Sequence, residues 1–143
     1  IMILHENLSD RCIDARSAAG ILQNILATES PEDQNKEHLW VIGCNNNLNI
    51  LYIELVSLGT VNQTYMIPRD VLRTAITKGA IRILIAHNHP SGNLTPSSQD
   101  ISMGKQLVQA AKLMGISVID FIIITPTKYW SGKEADDGFV WEE

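Results

Sequence analysis

Apolar residues recur along this chain in two rhythms. Over residues 9–27, "SDRCIDARSAAGILQNILA", the positions Ile13, Ala18, Ile21, Leu22, Ile25 and Leu26 return at roughly three- and four-residue spacing. That predicts a helix, with Ser9 or Asp10 as its cap. The polar stretch "TESPEDQNK" connects it to "HLWVIGC" and "LNILYIELVSLG", which predict two strands turned back by "NNN", because asparagine tolerates positive φ. "PRDVLRTAITKGA" predicts a helix with Pro68 at its start and Gly79 at its stop. The β-branched run "IRILIAHNH" predicts a buried strand. "TPSSQDISMGKQLVQAAKLMG" predicts a long helix with Thr95 as N-cap, Pro96 in the first turn and Gly115 at the close. "ISVIDFIIIT" is a further apolar strand, "KYWSG" a short last one, and "KEADDGFVWEE" a polar tail. Strands mixed with helices predict a single α/β domain of two or three layers, a mixed sheet flanked by helices. Residues 1–34 supply an N-terminal helix and connector, and residues 35–143 the body of the same domain.

Composition narrows the function classes. The 143 residues are 45% hydrophobic and 19% charged, which suits a soluble globular domain with a real core. The formal net charge of −5 gives no general attraction to nucleic acid. Cys12 and Cys44 are too far apart in sequence for a paired-cysteine zinc knuckle and do not form a disulfide framework. They read as reduced thiols of a cytoplasmic protein. The opening "IMILHENLSD" lacks the basic flank of a signal peptide, and no apolar run reaches membrane-spanning length. Trp40, Trp130 and Trp141 have no interleaved basic residues and read as packing groups, not a base-stacking surface.

The chemistry concentrates in "AHNHPSGNLTPSSQD", residues 86–100. Side chains two apart on a strand share a face, so His87 and His89 present both imidazoles together at the strand's C-terminal end. A histidine pair in a loop can equally cap or bond backbone, and two ligands are too few for a metal. The next donor is Asp100 at the start of the following helix, with Ser97 three residues before it on the same helix face. Pro90, Gly92 and Pro96 favour the sharp turn that returns Asp100 to the histidines. Two imidazoles, a carboxylate and an open fourth position describe a catalytic zinc site better than a closed structural one. Asn88, between the histidines, faces the other way and bonds the loop. Ser91 and Gly92 read as loop geometry, with Ser91 close enough to touch the site. His5 and His38 have no partners at ligand spacing.

"HNHPSGNLTPSSQD" resembles the JAMM (MPN+) metalloprotease signature in the form carried by bacterial RadC-family proteins. "GTVNQTYMIPRDVLRTAITKGAIRILIAHNHPSG" and "LMGISVIDFIII" resemble the same family, so the likeness runs from about residue 10 to the end. It implies a JAB1/MPN-like fold, related in architecture to cytidine deaminases. It implies that His87, His89 and Asp100 bind Zn²⁺ together with a water, and that Ser97 hydrogen-bonds or stabilises an oxyanion. In this family a glutamate before the first strand moves the proton. Glu37 in "KEHLWVIGC" takes that position, with Glu54 in "LYIELVSLG" as its rival. The family's N-terminal helix-hairpin-helix region has no counterpart in 143 residues, which argues with the acidic charge against direct DNA binding by this chain. Phe121 stands where RadC proteins usually carry histidine, leaving Asp120 as the group expected to support the ligands.

The resemblance implies hydrolysis of an amide or isopeptide bond in an unknown peptide or protein, with no membrane partner. The alternative is a module associated with DNA repair or mobile elements whose metal site is structural or vestigial. A nucleoside deaminase is disfavoured, because that chemistry wants H-x-E and a later P-C-x-x-C.

Overall fold

The computed structural model describes residues 2–6, 14–59 and 66–135. Ser9, Asp10, Cys12, Ile13, Trp141 and the tail after Ala135 lie outside the described residues. A six-stranded sheet has the order β1-β3-β2-β4-β5-β6. Its strands are β1 (Met2–Glu6), β2 (His38–Cys44), β3 (Ile50–Leu58), β4 (Arg82–Asn88), β5 (Ser117–Ile124) and β6 (Tyr129–Ser131). Neighbours are antiparallel except β4 and β5. A parallel pair needs a crossover, and α4 (Ser98–Leu113) provides it.

β2 is buried at every position because both faces of the sheet are covered. On one face α1 (Ala15–Ala27) packs Ala18, Leu22 and Leu26 against Trp40, Ile42, Leu84, Ile122 and Ile124. On the other face α3 (Pro68–Lys78) and α4 pack Val71, Leu72, Ala75, Leu107 and Ala111 against Leu39, Val41, Ile83, Ile85, Phe121 and Ile123. The domain therefore has three layers, with helices on both sides of a mixed sheet.

Two helix starts and three short elements differ from the sequence expectation. The N-cap of α1 is Asp14, whose Oδ1 accepts the Ser17 N–H at 2.8 Å, so the helix starts at Ala15, well after Ser9 and Asp10. The N-cap of α4 is Ser97 instead of Thr95, and Pro96 precedes the cap, because Ser97 and Asp100 bond each other's backbone N–H in a capping box. β1 arises from the apolar start "MILHE", which pairs its backbone along the outer side of β3. Within the connector, Ser30 and Pro31 nucleate a single turn, α2 (Pro31–Gln34), and a short α5 (Gly132–Ala135) follows β6.

Tyr52 and Gly43 show how closely the central strands pack. They are cross-strand partners in β2 and β3, and a Cβ on Gly43 would lie 2.0 Å from the ring of fully buried Tyr52. Gly43→Ala is expected to destabilise the domain by about 1–3 kcal/mol, the scale of overpacking a filled core. A lower denaturation midpoint with an unchanged slope is the expected result.

Candidate metal centre

β4 carries the site because its alternation continues past its last residue. The His89 N–H donates to the Ile124 carbonyl at 3.0 Å, which extends the ladder with β5. The rings of His87 and His89 therefore lie on one face, edge to face, with centroids 4.6 Å apart. The chain then turns. The Gly92 N–H donates to the His89 carbonyl, and Gly92 holds φ at +86°, a left-handed conformation that glycine adopts without strain. Ser91 Oγ accepts the Asn93 N–H, so Ser91 shapes the loop.

Asp100 returns to the histidines as expected. Its Oδ1 lies 3.0 Å from His87 Nε2 and its Oδ2 lies 3.1 Å from His89 Nε2. His87 and Asp100 are buried and His89 is half-buried. One donor atom from each residue falls within 4.8 Å of the others. Among the described residues neither ring nitrogen of buried His87 has a hydrogen bond, although Nε2 stands so close to a carboxylate oxygen. A buried polar atom without a hydrogen bond is costly, and coordination to a cation would satisfy it. Two imidazoles and one carboxylate are a donor set suited to zinc and neighbouring divalent metals. The residues fit such an ion.

Surrounding groups fix the donors. His89 Nδ1 donates to the Asn93 carbonyl at 2.6 Å, which fixes the ring with Nε2 3.1 Å from Asp100 Oδ2. The Ser97 N–H donates to Asp100 Oδ2 at 2.8 Å, and Ser97 Oγ accepts the Asp100 N–H at 3.0 Å. Ser97 is exposed, and its hydroxyl proton remains available to a group at the mouth of the site. Burial works against ionisation of Asp100, but the two imidazoles and the Ser97 N–H outweigh it and hold the carboxyl well below the usual range. For His89 burial favours the neutral ring, yet Asp100 and the Asn93 carbonyl prevail and raise its pKa.

Glu37 joins this group. It lies immediately before β2, which pairs with β4 through Leu39 and His87. Its Oε1 stands 3.9 Å from His87 Nδ1, and its side chain is 16% exposed. Burial pushes its pKa up and Asp100 adds to the rise, while the two histidines oppose it. Glu54 is placed elsewhere. It pairs with Val41, at the level of Ile85, and accepts from Thr74 Oγ1 on α3 at 3.0 Å. Burial also raises its pKa. A carboxyl raised by burial opposes folding when it ionises. Its contribution to stability is full below the ordinary glutamate range and is lost as pH rises through the folded value. Glu54→Gln keeps an acceptor for Thr74. It is expected to melt a few degrees higher than the parent at pH 8 and to match it at pH 4, as read by thermal unfolding.

Two expectations about the surroundings change. Asp120 does not support the ligands. It accepts from Ser131 Oγ and from the Phe121 and Lys133 N–H groups, and it lines a small recess with Asp14, Arg82 and Lys133 on the α1 side of the sheet. Phe121 is the β5 residue that reaches the site, stacked on His87 with centroids 5.6 Å apart and rings 19° from parallel. His38 is buried, with Nε2 2.7 Å from Glu29 Oε1 and Nδ1 2.8 Å from the Lys36 carbonyl. Asn88, turned away from the ligands, bonds the segment before β2 instead of the loop: it accepts the His38 N–H at 2.6 Å and donates to the Lys36 carbonyl at 2.9 Å. The signal for the Asn88 contacts was slight in the sequence, since its partners lie 50 and 52 positions away. Among the described residues, no helix is long and apolar enough to cross a membrane.

The profile of a family described as the RadC-like JAB domain matches residues 15–138. A UPF0758 protein of Chlorobium chlorochromatii is 36% identical over 117 residues, which are 82% of this chain and 52% of that protein. One from Desulforudis audaxviator is 39% identical over 99 residues, 69% of this chain and 43% of its own length. One from Caldanaerobacter subterraneus is 41% identical over 100 residues, covering 70% and 43%. The chain thus spans about half the length of the curated relatives it matches.

Proposed function

The chain belongs to the RadC-like JAB domain family, and from that premise we propose that it is a zinc-dependent hydrolase of the JAMM type, cleaving an amide or isopeptide bond in a peptide or protein. The observation that carries this reading is the convergence of His87, His89 and Asp100, with a half-buried glutamate beside them. A divalent cation bound there supplies a Lewis acid for a carbonyl oxygen and acidifies a water toward neutrality. The chain's own groups do the remaining work. Glu37, with its pKa raised by burial, accepts a proton from the attacking water at Oε1 and delivers it to the departing amine. The Ser97 hydroxyl donates to the carbonyl oxygen as negative charge gathers on it. Asn93 and the Ser97 N–H keep His89 and Asp100 aimed, and Phe121 backs His87 with an apolar face. A buried Cys44 accords with a reducing, cytoplasmic setting.

The test is cleavage of a panel of peptide and isopeptide amides by zinc-loaded protein. The expected result is turnover that a chelator abolishes and zinc restores. Absence of cleavage across the panel, with salt-sensitive retention on DNA, supports the accessory-module alternative instead.

A further inference from the structure

We infer that Asn88 is a positioning residue for Glu37, so that the residue between the two histidines sets where the glutamate stands. The use of that carboxylate in hydrolysis rests on the proposed function; its placement rests on geometry alone. Alternation along β4 turns Asn88 away from His87 and His89. Its amide reaches the segment that leads into β2. Oδ1 accepts the His38 N–H at 2.6 Å, and Nδ2 donates to the Lys36 carbonyl at 2.9 Å and the Gln34 carbonyl at 3.5 Å. The two shorter bonds end on the backbone groups that flank Glu37. The first ladder pair between β2 and β4 is Leu39 with His87, so the side chain of Asn88 continues the connection where the register ends.

Two further bonds complete the frame. The Gly59 N–H donates to the Glu37 carbonyl at 2.8 Å from the β3 side. The Lys36 carbonyl also receives His38 Nδ1 at 2.8 Å, whose ring is held in turn by Glu29. With its own carbonyl and both neighbours fixed, Glu37 has little backbone freedom, and its Oε1 is left 3.9 Å from His87 Nδ1. Asn88 is 2% exposed, so water does not readily substitute for its bonds. Aspartate keeps the acceptor and loses the donor; alanine loses both; glutamine is a methylene too long for the same three partners. One residue thus ties the strand that carries the ligands to the segment that carries the glutamate.

The experiment is NMR on metal-free protein, which needs no substrate. Cross-relaxation between the Glu37 side chain and the His87 ring reports their separation, and cross-relaxation between the His87 and Phe121 rings serves as a local control. In Asn88→Ala the first cross-peak is expected to vanish and the second to persist. Zinc stoichiometry is expected to stay at the parent value, and in cobalt-loaded protein the paramagnetic shifts of Glu37 are expected to move while those of Ile101 hold. If Asn88→Ala does not fold, Asn88→Asp carries the same test. Persistence of the Glu37–His87 peak overturns the inference, and so does joint loss of both peaks, which describes general loosening. A protein that cleaves no amide yet loses the Glu37 peak alone retains the positioning role and refutes the hydrolase.

Discussion

Replacing both His87 and His89 by alanine is expected to abolish metal binding and leave a folded domain. The parent purified without added metal is expected to carry about one equivalent, and the double variant under about a tenth, because even a supporting hydrogen bond to a ligand is worth about 10- to 100-fold in affinity. Asp100 alone then faces solvent, and a lone carboxylate does not retain zinc against dilution. Stability falls as well. His87 is 1% exposed and stacks on Phe121, so its truncation opens a void behind the site. The loss is partial, because Asp100 keeps its Ser97 N–H bond and its place in the first turn of α4, where a negative charge is favoured. Elemental analysis gives the metal content and circular dichroism the fold. Stoichiometric zinc in a folded double variant would defeat the ligand assignment. Affinity in the parent should also fall with acidification. The proton competes at His89, whose pKa is raised, while Asp100 stays ionised.

Glu37→Gln is expected to separate chemistry from binding. The amide is nearly isosteric, it does not touch Asp100, and it leaves the three donors intact, so metal content should equal that of the parent. Turnover should fall by about 10²- to 10⁴-fold, the usual range for loss of a general acid–base. In the parent the raised pKa of Glu37 places the rise of activity with pH above the ordinary glutamate range. The variant should lose that limb of the profile. Unchanged turnover would remove Glu37 from the proton path, and Glu54, bonded to Thr74 on α3, offers no ready substitute.

The parts of the fold legible in the sequence are those whose causes are local. Pro68 and Gly79 bracket α3 because one presets φ and the other accepts +74°. His87, His89 and Asp100 were legible for the same reason: strand alternation pairs the first two, and a loop of turn-forming residues returns the third. Where several residues could serve equally, local chemistry did not decide. "TPSSQD" offers Thr95, Ser97 and Ser98 as caps, and the reciprocal bond with Asp100 selects Ser97. β1 has no internal period to announce it and is defined by the outer side of β3. Glu37 came from the family likeness, since only the β2–β4 pairing brings it to His87. Asp120 was misjudged because the register shift in β4–β5 pairing puts Phe121, not its neighbour, against His87.

The central claim is that one ion sits among these three side chains. X-ray absorption at the zinc edge of the loaded chain tests it most directly. The account predicts a first shell of nitrogen and oxygen at about 2.0–2.1 Å with the outer-shell scattering of two imidazoles. The double alanine variant should retain too little zinc to give this edge. A sulfur shell at about 2.3 Å, or an all-oxygen shell without imidazole scattering, would contradict it.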